Sequence, residues 1–351
     1  MKKHKIGLAY GVCLAAFTVF ITLDTFVLTN AYRENATEMN TSMFDAVRAK
    51  TSDSSNPDSG AANRAEPQER QNNAADGSQR HGPPHKKTEG RDTQSGTAAA
   101  SSASEQNTAA GAEARSYEDE NIRIALTEQN VNGTAVYVAD VRLSSAEYLK
   151  TAFANDTYGK NVTAKTSVTA AAHNAILAVN GDYYGAQERG YVIRNGIVYR
   201  DSAGSSDVLC IYADGSLEIV DPKTVTAQEL ADRGVWQAFS FGPALVENGS
   251  VSVSQNTEVG KAMASNPRTA IGMIDALHYV FVVSDGRTGK SEGLSLYELA
   301  RFMQRLGVRT AYNLDGGGSS TMVFQGELIN NPTTTGNSIK ERGVSDIVYV
   351  G

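Results

Sequence analysis

The chain has 351 residues, with 39 acidic and 32 basic side chains and a formal net charge of −7 at neutral pH. This excess of acid argues against nucleic acid as a partner, because nucleic-acid-binding domains concentrate lysine and arginine. The two cysteines, Cys13 and Cys210, are too few for a disulfide framework and form no C-x-x-C metal motif.

The N-terminus has the pattern of a membrane segment. Three lysines within the first five residues precede a largely apolar run over residues 6–28. About 20 apolar residues can cross a bilayer, and the basic flank predicts a cytoplasmic N-terminus. The alternatives are an uncleaved signal-anchor and a signal peptide cut near Ala31. We favour the anchor, because the run exceeds the usual signal-peptide core of about 7–15 residues. The remaining chain would then be extracytoplasmic, at a bacterial cell surface.

A polar segment follows the predicted anchor. From about residue 46 to residue 115 the chain is rich in Ser, Ala, Gly, Asn and Gln and has few large apolar side chains. Such a segment buries too little apolar surface to offset its chain entropy, which predicts disorder. The predicted organisation is therefore a basic tip and anchor over residues 1–31, a disordered linker over 32–115 and a folded domain over 116–351.

The domain over residues 116–351 has the pattern of an α+β fold with a mixed, mostly antiparallel sheet and packed helices. Short β-rich runs are joined by dipeptides that favour tight hairpin turns. Helices are predicted after capping Ser or Thr residues, over 146–154, 227–233 and 296–306. The turn dipeptides are Asn132-Gly133, Asn195-Gly196, Asp214-Gly215 and Asn248-Gly249.

One glycine-rich stretch has the residue types of a ligand site. It follows a predicted buried strand over residues 308–314 and combines a carboxylate, three glycines and several hydroxyls. Glycines let backbone N–H groups approach an anion, and hydroxyls donate to phosphate or sugar oxygens. The alternative is a tight turn in which the glycines serve geometry alone. The candidates in this stretch are Asp315, Gly316, Gly317, Gly318, Ser319 and Ser320.

Three further stretches place polar groups at predicted strand ends. A carboxylate beside tyrosines can hold a sugar, and an arginine fork can bind phosphate. For each stretch the alternative is a turn or a solvated strand edge. Near the C-terminus, Glu341 and Arg342 either close a site or pair on the surface, and we prefer the surface interpretation. The candidates in the three stretches are Asn180, Gly181, Asp182 and Tyr183, then Arg268 and Thr269, then Asp285 and Arg287.

In this order and spacing, these motifs resemble the phosphodiester glycosidase family over roughly residues 172–351. The resemblance implies hydrolysis of a sugar-1-phosphodiester, with release of the sugar. It implies catalytic carboxylates among Asp315, Asp182 and Asp285, with Asp315 or Asp182 as base or nucleophile. It also implies that Arg268 and Arg287 hold the phosphate. The other candidates named above would bind substrate, and the sequence does not assign one role to each aspartate.

Other functions are open at this stage. A serine hydrolase using Ser319 or Ser320 is disfavoured, because the domain has only two histidines, His173 and His278. A non-catalytic module that binds envelope polysaccharide is the main alternative. No cofactor is predicted. Carboxylates and turn carbonyls are ligand types that calcium takes, but the sequence has no D-x-D-x-D-G loop. The expected partners are the membrane, through the N-terminal helix, and a phosphate-linked carbohydrate of envelope polymers, with no prediction for oligomeric state.

Overall fold

The computed structural model describes residues 33–54, 115–257 and 265–351, together with the isolated positions 15 and 18. Apart from those two positions, the predicted membrane segment over residues 6–28 lies outside the described residues, as does the predicted linker from residue 55 to 114. Within the described ranges, no helix has the length and apolar content needed to cross a bilayer.

The described chain is rich in short strands and has few helices. The strands in chain order are β1 (Arg115–Glu118), β2 (Ile122–Val131), β3 (Thr134–Leu143), β4 (Leu149–Phe153), β5 (Ala164–Lys165), β6 (Leu177–Asn180), β7 (Val192–Arg194), β8 (Ile197–Arg200), β9 (Val208–Tyr212), β10 (Leu217–Val220), β11 (Val235–Phe239), β12 (Ala244–Glu247), β13 (Ser250–Val251), β14 (Arg268–Asp275), β15 (His278–Ser284), β16 (Thr310–Asn313), β17 (Met322–Phe324), β18 (Glu327–Leu328), β19 (Gly343–Val344) and β20 (Asp346–Val350). The α-helices are α1 (Ser42–Ser54), α2 (Thr166–Ala172), α3 (Ala227–Asp232) and α4 (Leu296–Arg305).

The strands form three larger sheets and one small one. The largest has eight strands in the order β1-β2-β3-β15-β14-β16-β12-β13. Two five-stranded sheets have the orders β10-β9-β11-β7-β8 and β18-β17-β6-β20-β4, and β5 pairs with β19. The pairings of the described strands are antiparallel, for example β14 with β15 and with β16. The predicted α+β fold with mostly antiparallel sheet is therefore confirmed.

The hydrophobic core lies on both faces of the largest sheet. Side chains alternate along β15, because successive residues of a strand point to opposite faces. Phe281 and Val283 join a core shared with strands of the two five-stranded sheets. Val280 and Val282 pack on the other face, against a cluster that includes Leu299 of α4. This packing fixes the strand ends that carry the polar motifs.

The four predicted hairpin turns are confirmed, since each joins two antiparallel strands, and in three of them both dipeptide residues have positive φ. Asn132 and Gly133, between β2 and β3, have φ values of 50° and 77°. Asn195 and Gly196, between β7 and β8, have values of 51° and 76°. Two successive positive φ angles are what a two-residue hairpin turn requires, and Asn and Gly adopt them most readily.

The helix predictions are partly confirmed. Helices α3 and α4 begin with complete capping boxes, at Thr226 and Ser295. The helix predicted over residues 146–154 is wrong. A single 3₁₀ turn, Ala146–Tyr148, is followed directly by β4, which pairs with β20 along its whole length. Burial of this segment in a sheet outweighs the helical propensity of its residues.

Residues 33–54 are part of the folded structure, so the prediction that the disordered linker begins at residue 32 is wrong. Arg33 forms a β-bridge with Tyr158. The ring of Phe44, on α1, packs edge-on against Trp236 with 4.9 Å between centroids. Arg48 pairs with Glu147 at 2.9 Å. A few apolar side chains are enough to bind a polar segment to the folded domain. The average composition of the segment does not reveal them.

Candidate functional site

The polar motifs meet where β6, β14 and β16 end or begin. Because β14 and β16 are antiparallel, the start of β14 lies beside the end of β16. The amide of Leu314 donates to the carbonyl of Thr269 at 2.9 Å, and the amide of Asp315 donates to the carbonyl of Gly181 at 3.3 Å. Asp315 thus follows the strand end, as the sequence predicts.

Asp315 has a carboxylate that is mostly buried but reaches the surface. Its side chain is 13% exposed. Ser319 Oγ donates to Asp315 Oδ2 at 2.5 Å, and Arg342 Nη2 lies 3.1 Å from the same oxygen. Burial raises the pKa of Asp315, while the hydrogen bond from Ser319 and the charge of Arg342 act against the rise.

Arg342 belongs to this site, so the preferred surface interpretation is wrong for it. Arg342 contacts Ser319 as well as Asp315, donating from Nε to Ser319 Oγ at 3.0 Å and also from Nη2. Its neighbour Glu341 has a structural role, because its carboxylate accepts from the amide and hydroxyl of Ser167 at the start of α2. The sequence shows a positive charge at residue 342. It does not show that the partner of this charge is Asp315, 27 residues earlier.

The three glycines bring the loop into close contact with its surroundings. A Cβ on Gly317, whose φ is +60°, would lie 2.8 Å from Arg287 Nη2, and a Cβ on Gly318 would lie 2.4 Å from Thr334 Oγ1. The amide of Gly317 donates to the carbonyl of Pro267 at 2.8 Å. That amide is therefore already used, and the loop's main contribution is to let an arginine approach the backbone.

Arg268 and Arg287 flank the glycine loop. Arg268 is buried, and its Nε donates to the carbonyl of Leu294 at 2.9 Å. Arg287 donates from Nε and Nη2 to Asn266 Oδ1 at 3.0 and 2.8 Å. Burial lowers the pKa of Arg287, and the positive charge of Arg342 lowers it further. Arg342 is therefore the guanidinium group that contacts Asp315, and Arg287 lies near enough to Arg342 for their charges to interact.

Asp182 lies in a buried ion cluster beneath the site. Its Oδ1 is 3.0 Å from Arg194 Nη2, and its Oδ2 accepts from the amide of Ser240 at 3.0 Å. Arg194 also donates from Nε to Asp346 Oδ2 at 2.8 Å. The Asp182 side chain has no exposed surface.

Asp346 is the second carboxylate of that cluster. Burial raises its pKa to about 7, with Arg194 acting against the rise and Asp182 adding to it. A Cβ on Gly181 would lie 2.2 Å from Asp346 Oδ1, so the carboxylate requires glycine at that position. Arg194 and Asp346 are not among the residues that the sequence motifs single out. Each is a charged residue in a short, otherwise apolar strand, and this pattern in a sequence indicates a buried ion pair.

Asp285 and Asn180 connect the elements around the site. Both oxygens of Asp285 accept from Asn331, from its amide and from Nδ2, at 2.8 Å each. Asn180 Oδ1 accepts from Thr269 Oγ1 at 2.8 Å, and its Nδ2 donates to the carbonyl of Asp315 at 2.6 Å. These side chains tie β6, β14 and the loop after residue 330 to the Asp315 turn.

The remaining candidate residues differ in how far their side chains are exposed to solvent. Tyr183 is 44% exposed, whereas the hydroxyl of Ser320 is buried and has no hydrogen-bond partner. The structure thus groups Asp315, Ser319 and the glycine loop with the arginines, and it places Asp182 and Asp285 in the interior. Within the described residues, no group of three or more His, Cys, Asp or Glu side chains is arranged to hold a metal ion.

The order of these motifs matches a known family. The sequence profile of the phosphodiester glycosidase family matches residues 173–351, about half of the chain. The chain belongs to the phosphodiester glycosidase family. The matched region contains the motif carboxylates and arginines described above, and residues 33–54 precede it.

Similar curated proteins come from bacteria and mammals. The chain is 31% identical over 156 residues to the SPbeta prophage-derived uncharacterized protein YomE of Bacillus subtilis, covering 43% of this chain and 23% of that protein. It is 28% identical over 173 residues to N-acetylglucosamine-1-phosphodiester alpha-N-acetylglucosaminidase of Mus musculus, covering 45% and 33%. The matches therefore span a third or less of these relatives.

A solved structure has the same fold. The zebrafish N-acetylglucosamine-1-phosphodiester alpha-N-acetylglucosaminidase catalytic domain, auto-inhibited by its pro-peptide, superposes with a TM-score of 0.53 at 20% identity. The superposition covers 68% of this chain and 86% of that one. At this identity the likeness establishes the fold of this phosphodiester glycosidase family member.

Proposed function

We propose that the protein hydrolyses a sugar-1-phosphodiester at the bond between the anomeric carbon and the phosphate oxygen. The observation that supports this most directly is the environment of Asp315. Of the three predicted catalytic carboxylates, Asp315 has the most exposed side chain, and it is paired with Arg342 at 3.1 Å. Glycosyl transfer needs a carboxylate near the anomeric carbon, and a phosphodiester needs cationic donors.

In this proposal Asp315 acts as a general base. It accepts a proton from a water molecule, whose oxygen forms a bond to the anomeric carbon as the bond to the phosphate oxygen breaks. The bonding electrons leave with the phosphate, so the products are the free sugar and a phosphomonoester. Phosphate is a good leaving group, so one accessible carboxylate suffices. Burial raises the pKa of Asp315, which makes its carboxylate a stronger base than a solvated one.

The arginines bind the phosphate as its negative charge grows. Arg342 has a side chain that is 40% exposed and already contacts Asp315, so it is placed to bridge the carboxylate and the leaving group. Arg287 lies against Gly317, and its fork is oriented by Asn266. Thr269 and Asn180 link the ends of β14 and β6, and Arg268 is held by the carbonyl of Leu294. Preorganised charges of this kind stabilise a transition state without having to reorient during the reaction.

The interior aspartates serve as positioning residues in this proposal. Asp182 and Asp285 have oxygens that accept hydrogen bonds from Ser240 and Asn331, and neither side chain is open to a substrate. Asp182 fixes the turn whose carbonyl holds the Asp315 amide. The exposed ring of Tyr183, next along the chain, is placed to stack on a sugar.

We further propose that the substrate is a phosphate-linked carbohydrate of the cell envelope and that the enzyme works outside the cytoplasm. This proposal is based on the apolar run over residues 6–28 with its basic flank, which predicts an anchor and an external domain. The sugar used for testing is N-acetylglucosamine, because the mouse relative is named for it.

The test is turnover by the full-length protein of the methyl diester of N-acetylglucosamine 1-phosphate, with phosphate release coupled to a phosphomonoesterase. Asp315→Asn is expected to lower kcat by at least about 100-fold, since loss of a general base typically costs this much. Asp275→Asn, an exposed aspartate at the far end of β14, is the matched control and should retain the wild-type rate. Wild-type turnover in Asp315→Asn would contradict the assignment.

A further inference from the structure

A polar cavity of about 540 Å³ lies next to the ion cluster of Asp182. Its volume is within the range of small-molecule binding sites, about 300–1,000 Å³. Hydroxyl, amide and guanidinium groups line part of its walls, and such groups bind hydroxyls and anions. Its lining residues include Gln187, Arg189, Gly190, Ser205, Ser206 and Ser240.

One wall of the cavity is connected directly to the candidate active site. The amide of Ser240, a lining residue, donates to Asp182 Oδ2 at 3.0 Å. The residue before Asp182 is Gly181, whose carbonyl accepts from the amide of Asp315 at 3.3 Å. The cavity wall and the Asp315 turn are therefore hydrogen-bonded to adjacent residues of one dipeptide, Gly181-Asp182.

Behind the lining loop lies a cation, Arg200, that forms no ion pair with a carboxylate in the described part of the chain. Arg200 donates from Nε to the carbonyl of Gly190 at 2.7 Å and from Nη1 to the carbonyl of Gln187 at 2.6 Å. Its Nη2 is buried and has no hydrogen-bond partner. These bonds hold the lining loop rigid and leave the positive charge of the guanidinium beneath it.

Arg189 adds a second cation at the rim. It is exposed and forms no hydrogen bond or ion pair with any described residue. The one carboxylate in the lining belongs to Glu188, which pairs with Lys160 at 2.9 Å. With Glu188 paired to Lys160, the charge of Arg189 is the one in the lining that has no described partner, which favours an anionic ligand.

We propose that this cavity is a subsite for the part of the substrate beyond the cleaved phosphodiester, and that this part is a hydroxylated unit carrying a second phosphate. The serine and glutamine side chains would bind its hydroxyls, and Arg189 would bind its phosphate. This inference rests on the proposed function. It implies that the substrate is a chain of phosphate-linked sugars or polyols.

Two ligands test the proposal. One is the methyl diester of N-acetylglucosamine 1-phosphate, and the other is the diester of the same sugar phosphate with glycerol 3-phosphate, which carries a second phosphate. Calorimetry on full-length Asp315→Asn measures their affinities without turnover. The two-phosphate ligand is expected to bind about tenfold more tightly, the effect of about one charge-assisted contact. Adding Arg189→Gln should remove this difference, and adding Arg233→Gln, an exposed arginine in a separate groove beside α1, should not.

The possible outcomes distinguish failure of the subsite proposal from failure of the proposed function. Equal affinity for the two ligands, no binding of the two-phosphate ligand, or a preference that survives Arg189→Gln would overturn the subsite. An Arg189-dependent preference without turnover of either diester by the wild-type protein would support the subsite and contradict the proposed function. Because Arg189 is exposed and forms no hydrogen bond or ion pair with described residues, its replacement should leave the fold intact.

Discussion

The buried cluster of Asp182, Arg194 and Asp346 makes stability depend on pH in a specific direction. It contains two carboxylates and one cation, so it carries no net charge only when one carboxylate is protonated. Burial raises the pKa of Asp346 from 3.8 to about 7. Because one pKa unit corresponds to about 1.4 kcal/mol, a rise of this size corresponds to about 4 kcal/mol. Such a contribution is a large fraction of the free energy of unfolding of a typical domain, about 5–15 kcal/mol.

The direction of this pH dependence follows from the number of protons that the folded and unfolded states bind. Between about pH 4 and pH 7 the folded state holds a proton on Asp346 that the unfolded state has released, so this contribution is present at low pH and is lost as pH rises. In Asp346→Asn the contribution is absent. Arg194 still has Asp182 as a partner, and the new side chain retains an oxygen for Arg194 Nε. Tyr184 and Asp315 are the other titratable groups coupled to Asp346.

Urea unfolding of the full-length protein from pH 4 to pH 8 measures this effect. Relative to Asp346→Asn, the wild type should lose up to about 4 kcal/mol of unfolding free energy across this range. Asp275→Asn is the control, because Asp275 is exposed and pairs with Arg309 at the surface. Its curve should run parallel to that of the wild type. If the Asp346→Asn curve were also parallel to the wild type, the account of the cluster would be refuted.

Two further predictions concern docking of the N-terminal segment and the role of Arg342. Phe44→Ala removes a fully buried ring that packs on Trp236, and should cost about 3 kcal/mol or more, lowering Tm by roughly 6–12 °C in scanning calorimetry. An unchanged Tm would mean that residues 33–54 do not stabilise the domain. Arg342→Gln should lower kcat/KM at least about tenfold, with Tm nearly unchanged because the side chain is partly exposed. Wild-type kinetics in this variant would exclude Arg342 from the reaction.

Much of the fold was predictable because its signals are local. Asn132-Gly133 and Asn195-Gly196 specify hairpins through their own backbone preferences, and Ser295 marks the start of α4 through its capping box. Asp315 was placed at a strand end for the same reason, since an apolar β-branched run stops just before it. By contrast, β4 was predicted as helix, because its partner β20 is almost 200 residues further along the chain.

The candidate site was less predictable because its contacts are long-range. Arg194 and Asp346 are 152 residues apart and are recognisable as a pair only after β7 and β20 are folded. Arg342 was expected at the surface, since its sequence neighbour Glu341 offers an obvious ionic partner, yet it binds Asp315. The glycine loop was expected to cradle an anion with its amides. One of them binds Pro267, and the guanidinium of Arg287 lies against the loop.

The central claim is cleavage of the carbon–oxygen bond, and hydrolysis in ¹⁸O-labelled water tests it directly. The substrate is the methyl diester of N-acetylglucosamine 1-phosphate, and the full-length protein is the enzyme. If water attacks the anomeric carbon, the label appears in the sugar, and mass spectrometry shows methyl phosphate without ¹⁸O. Label in methyl phosphate or in the sugar phosphate would mean attack at phosphorus, and would contradict the assignment of Asp315 to the anomeric carbon.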